Sequence, residues 1–167
     1  MKIALVHDHL VQDGGAEKVL LALQDVFPNA PTFTLLYDPA RVSKAFDGKD
    51  IRTSFLQKIP FALRKYQWLL PLMPAATESY DLAEFDVVIS SSSAFAKGVI
   101  TKPGTLHVCY CHTPTRYLWS DTHSYVQDLN ANRLTKALLP ILLNRLRVWD
   151  RLSAERVDRF IANSRTV

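Results

Sequence analysis

Three features of the sequence predict an α/β fold with a Rossmann-like, doubly wound and mostly parallel sheet. Short apolar runs end in small or polar residues, helical repeats lie between most of them, and a glycine pair stands where the first run hands over to a helix. The first run, KIALV at 2–6, is apolar throughout and contains β-branched members, as a strand covered on both faces requires. Beyond Gly14 and Gly15, the residues Val19, Leu20, Leu23 and Val26-Phe27 recur at helical spacing, and the pattern stops at Pro28. PTFTLLY at 31–37 reads as a second strand and DIRTSF at 50–55 as a third. FDVVISSS at 85–92, TLHVCYCH at 105–112 and VDRFIANS at 157–164 supply the remaining runs. A long helix starting near Asn130 carries Leu134, Leu138, Ile141, Leu142, Trp149 and Leu152, with a bend expected at Pro140.

The totals set the frame. At 167 residues and 48% hydrophobic, the chain suffices for one domain, 1–167, with a sizeable core. Only four apolar residues separate Lys2 from His7 and Asp8, so no secretory signal is expected. No apolar run reaches the ~20 residues that a membrane-spanning helix needs. Two cysteines one residue apart suit a reducing compartment, and a cytoplasmic location is expected. A net charge of +4 and a pI near 9.1 are compatible with anionic lipid, phosphorylated substrates or nucleic acid, and select none of them.

Ligands of doubly wound sheets bind at the carboxyl ends of the strands. That rim would hold His7, Asp8 and His9, then Ser90 to Ser93, then His112 and Thr113, and finally Asn163 and Ser164. Gly14 and Gly15 sit just before a helix N-terminus, where free N–H groups attract an anion and the missing side chains let a phosphate approach. A plain glycine-containing helix start is the alternative. Glu17, three residues past Gly14, is expected to cap the helix by reaching back to the Gly14 N–H. The absence of GxGxxG argues against a dinucleotide site.

His7, His9, Cys109, Cys111 and His112 include good zinc ligands, but CxC lacks the usual interval and no second pair completes a set. Thiols packed as small hydrophobes are the expectation, with no metal. His112, at a strand exit, is either a satisfied polar residue or a neutral imidazole donating to a substrate hydroxyl. SSSS is not a GxSxG elbow, and a phosphate-binding hydrolase would need a general base or metal cluster that the sequence does not supply. FLQKIPFALRKYQWLLPLMPAA at 55–76 is both apolar and basic. It reads as a buried helix pair, or as an interfacial segment with Trp and Tyr at headgroup level; nucleic acid is not expected as a partner.

The stretches HDHLVQDGGAEKVL, LLPLMPAATESYDLAEFDVVISSSSAFAKGV, HVCYCHTPTRYLWSD and WDRLSAERVDRFIANS together resemble the N-terminal half of a family 4 glycosyltransferase of the GT-B fold. The resemblance covers nearly the whole chain and points to the bacterial mannosyltransferases of lipopolysaccharide and capsule synthesis. It implies retaining transfer of a sugar, with mannose expected, from a nucleotide diphosphate sugar to a glycan or lipid-linked acceptor hydroxyl, without a cofactor or an obligatory metal. It implies a donor diphosphate over Gly14 and Gly15 and a catalytic His112 beside the donor sugar. The rim residues Ser91, Thr113 and Asn163 are then expected to bind substrate.

The family's second Rossmann domain, which grips the nucleotide, has no counterpart in the sequence. The chain is therefore expected to be the acceptor-side domain, inactive until a donor domain joins it in cis or in trans. A non-catalytic acceptor- or membrane-binding subunit pairing with a separate donor-domain chain is the alternative. A lipid-linked acceptor would place the domain peripherally on the inner face of the plasma membrane.

Overall fold

A computed structural model describes residues 1–122 and 133–165, the first five of the second stretch by their backbone alone. Six strands form one all-parallel sheet: β1 (Ile3–His7), β2 (Thr32–Thr34), β3 (Ile51–Thr53), β4 (Val87–Ser92), β5 (Leu106–Cys111) and β6 (Arg159–Ala162). The order across the sheet is β3-β2-β1-β4-β5-β6. The chain thus builds from β1 to one edge, returns to the middle and builds to the other edge. The reversal falls between β1 and β4, and the register there sets His7 opposite Ser91.

The sequence pattern explains the layers. Ala4, Leu5 and Val6 of β1 are buried on both faces because α1 (Gly15–Val26) covers one side and the later elements cover the other. Leu20 of α1 packs with Leu5, Leu10 and Phe46. The opposite layer is built from α2 (Met73–Glu78), α3 (Arg116–Trp119) and α4 (Arg133–Ala154). Leu139, Leu143 and Leu146 recur on the inner side of α4 and meet Leu56, Leu70, Met73 and Leu118. Pro140 lies within α4 and faces solvent, and the helix runs on through it as one element. The expected helix start near Asn130 and the Leu134 side chain lie outside the described residues.

Two stretches differ from expectation. β6 was expected as a buried strand; instead all four of its residues are exposed, since it is an edge strand paired to β5 among the described residues and neither of its faces is covered by them. Residues 55–76 do not form a helix pair. They form short 3-10 turns at Phe55–Lys58 and Tyr66–Leu72, followed by α2; Pro60 lies between the turns, Pro71 within the second and Pro74 in the first turn of α2. Leu56, Ala62, Leu70 and Met73 point into the core, whereas Phe55, Phe61, Trp68 and Leu72 face out, Phe61 with 72% of its surface exposed.

Candidate functional site

The carboxyl ends of β1 and β4 flank the point where the sheet reverses direction, which is where open α/β sheets form a crevice. Asp8, immediately after β1, is buried and turns across to the backbone beyond β4. Its carboxylate accepts N–H groups from Ser93 (2.6 Å), Ala94 (3.0 Å), Phe95 (2.8 Å) and Ala96 (2.7 Å). Burial alone would raise its pKa; the neighbouring His7 and these donors outweigh it and hold the group below its ordinary value. Asp8 therefore fixes the turn after β4 at the floor of the crevice.

The same turn is tied from its far side. Lys97 is nearly buried, and its Nζ donates to Asp150 Oδ1 and to the Ala94 carbonyl, both at 2.6 Å. Asp150 also accepts from Thr115 Oγ1 and Trp119 Nε1, each at 2.8 Å, so one carboxylate joins the turn to α3 and α4. Gly98 lies flat against α4: a Cβ built there would overlap the Trp149 indole and stand 3.2 Å from the Ser153 Cβ. The indole has little room to yield, since its Nε1 donates to Glu78 at 2.8 Å and its ring leans on Phe95 at 5.7 Å.

Above this frame, four side chains form a line from α1 to β5. Glu17 Oε1 stands 3.8 Å from His7 Nε2. His7 Nδ1 lies 3.1 Å from Ser91 Oγ, and Ser91 Oγ lies 2.8 Å from His112 Nε2. Glu17, His7 and Ser91 are buried, while His112 is partly exposed. Burial would push the Glu17 carboxyl up, but His7 more than offsets it and the group sits below its usual range. Burial and His7 together lower His112 below the ordinary imidazole value against the opposing pull of Asp8 and Glu17.

A second Ser–His pair sits one residue away in the sheet. Ser90 Oγ lies 2.9 Å from His107 Nε2, and burial pushes His107 down to about 4.

Beside the line opens a cleft of about 630 Å³. Its polar wall holds His7, Asp8, His9, Gln12, Glu17, Thr113, Arg116 and Asp121, and its apolar wall holds Tyr66, Leu70, Met73, Phe95 and Tyr117. The His9 ring meets Tyr66 edge-on at 5.3 Å.

The residues singled out from sequence fall as follows. Gly14 and Gly15 open α1, and the two differ. A Cβ on Gly14 would stand 3.0 Å from Glu17 Oε2, while a Cβ on Gly15 would meet nothing within 4 Å. Neither has the positive φ that demands glycine. The expected Glu17 cap is not formed: both carboxylate oxygens are buried without a hydrogen-bond partner, because the side chain turns inward to His7. Ser91 and His112 are joined directly; Thr113 lines the cleft, whereas Gly14, Gly15, Ser91 and His112 stand beside it and outside its lining. Asn163, at the end of the edge strand, is exposed and outside the cleft lining.

Burial pushes the Cys109 thiol up to about 12 and raises Cys111 as well, in keeping with inert, packed thiols. Among the described residues, no group of three His, Cys, Asp or Glu side chains is placed to hold a metal. Asp8 was legible only as a rim residue, and Lys97 and Asp150 not at all, because the Asp8 partners lie 85 to 88 residues away and Lys97 lies 53 residues from Asp150. The polar residue directly after β1, facing a run of small residues after β4, was the one available signal.

No family model matches the chain, and neither a curated protein nor a solved structure matches it. The fold and rim define an α/β protein of Rossmann-like topology with a cleft at its switch point.

Proposed function

We propose that this chain is the acceptor-side domain of a retaining glycosyltransferase, moving a sugar, with mannose expected, from a nucleotide diphosphate sugar to a glycan or lipid-linked hydroxyl. The observation that carries the reading is the empty space at Gly15. No packing contact and no backbone strain requires a glycine there, yet it opens a helix N-terminus at the switch point of the sheet. A diphosphate oxygen fits that place, reached by the free N–H groups of the first turn. Glu17 crowds the Gly14 side, so the phosphate contact concentrates at Gly15.

His112 then serves the donor sugar or the attacking hydroxyl, and Thr113 lines the path between them. The mixed cleft suits a ligand with a polar and an apolar part, the sugar towards His9, Gln12 and Glu17 and the rest towards Tyr66, Leu70 and Met73. Outward-facing Phe55, Phe61, Trp68 and Leu72 beside exposed Lys58, Arg64 and Lys65 favour docking on an anionic bilayer, where a lipid-linked acceptor resides.

Titration of the chain with a panel of nucleoside diphosphate hexoses, read by amide shifts, tests the reading. The expected response centres on Gly14, Gly15, Glu17 and Thr113. Shifts confined to other surfaces, or none with any donor at millimolar concentration, would contradict it.

A further inference from the structure

The line of four side chains has a direction. A carboxylate only accepts hydrogen bonds, so Glu17 favours the proton of His7 on Nε2, the nitrogen that faces it at 3.8 Å. That distance is an electrostatic contact and not a hydrogen bond, but both side chains are buried and little water screens them. In a neutral His7, the state the line requires, Nδ1 is then bare and accepts from the Ser91 hydroxyl at 3.1 Å. Ser91 has one proton to give. Having given it to His7, its oxygen must accept from His112 Nε2 at 2.8 Å. His112 therefore carries its proton on Nε2. The hydrogen bond between His112 and Ser91 uses Nε2 alone, so Nδ1 lies across a partly exposed ring, away from Ser91.

We propose that Glu17, His7 and Ser91 are positioning residues that fix His112 as the Nε2–H tautomer, leaving Nδ1 as a hydrogen-bond acceptor for a ligand hydroxyl. This rests, for the identity of the ligand, on the sugar-transfer reading; the proton arrangement itself does not. It reverses the sequence-based expectation, in which His112 donates to the substrate. The charged or titratable groups acting on His112 are His7, Asp8 and Glu17, and the Tyr110 ring packs at 5.1 Å. An acceptor nitrogen suits a sugar hydroxyl, which must give up its proton when it attacks and is oriented by donating beforehand.

Side-chain nitrogen NMR of the histidines at pH 8 reads the arrangement directly, with a His112→Gln sample to assign the signals. In the parent chain, His112 Nδ1 should show the shift of a bare nitrogen and Nε2 that of a protonated one. Glu17→Gln replaces an acceptor-only group with one that also donates, so the direction is no longer imposed and the Nδ1–H form of His112 should rise. Ser91→Ala cuts the line and should speed exchange of the His112 Nε2 proton while the amide spectrum stays folded. A parent His112 protonated on Nδ1 would overturn the proposal. So would His112 signals unchanged in Ser91→Ala, even if Glu17→Gln fails to fold. Loss of nucleotide-sugar binding with these signals as expected would instead count against the sugar-transfer reading alone.

Discussion

Gly98 and Gly15 each follow a central strand, yet the fold treats them differently. Gly98 is pressed against Trp149 and Ser153, so the contact between the β4 turn and α4 depends on its missing side chain. Gly15 stands in open space at an ordinary backbone angle, and the fold asks nothing of it. Close packing explains one glycine; no described contact accounts for the other. The two Ser–His pairs divide in the same way. Ser90–His107 is sealed in the sheet, whereas Ser91–His112 reaches the partly exposed rim.

The packing side should yield the largest losses. Lys97→Met leaves Asp150 without its cation in a buried place, and removing one partner of such a pair costs about 3–5 kcal/mol in chemical denaturation. An effect below ~1 kcal/mol would mean that Thr115 and Trp119 satisfy Asp150 alone.

His107 comes next. An unfolded chain binds a proton on this residue below about 6.5, while the folded chain resists until about 4. Stability should therefore be intact above pH 6.5 and fall as pH drops from there towards 4, by on the order of 3 kcal/mol at ~1.4 kcal/mol per unit. Glu17 and Asp8, both lowered by folding, add losses in the same direction at still lower pH. An NMR titration that finds His107 charged at pH 6 would remove the effect. Gly98→Ala should cost about 1–3 kcal/mol through overpacking against Trp149, visible as a lower denaturant midpoint with unchanged slope.

On the surface the effects are on binding and not on folding. At low salt the domain should float with anionic vesicles, and changing Lys58, Arg64 and Lys65 to Gln should weaken this at about 1 kcal/mol per charge. A parent protein that stays with the soluble fraction would make Phe61 and Trp68 ordinary surface residues.

Much of the fold was legible because it is written in local patterns. The apolar runs at 2–6, 85–92 and 105–112 became β1, β4 and β5, and the Gly pair opened α1 where the spacing predicted. The exposure of β6 was not legible, because Phe160 and Ile161 look the same in a central strand as in an edge. Nor was the fate of Glu17. Its place three residues past Gly14 set it to reach back to that N–H, but His7, reached only through the fold, draws the carboxylate inward. Within the site, position after a strand placed His112 at the end of β5, whereas Ser91, expected beyond its strand, is buried within β4. The link from Ser91 to His7 depends on strand register across 84 residues of separation, which no local spacing reveals.

The claim that Gly15 is kept for a ligand is tested most directly by Gly15→Val, melted and titrated side by side with the parent. Stability should remain within about 0.5 kcal/mol, as for a surface change that touches nothing, while the amide response to nucleoside diphosphate hexoses at the first turn of α1 disappears. A variant that binds as the parent does, or one that loses stability and binding in step, would contradict the account.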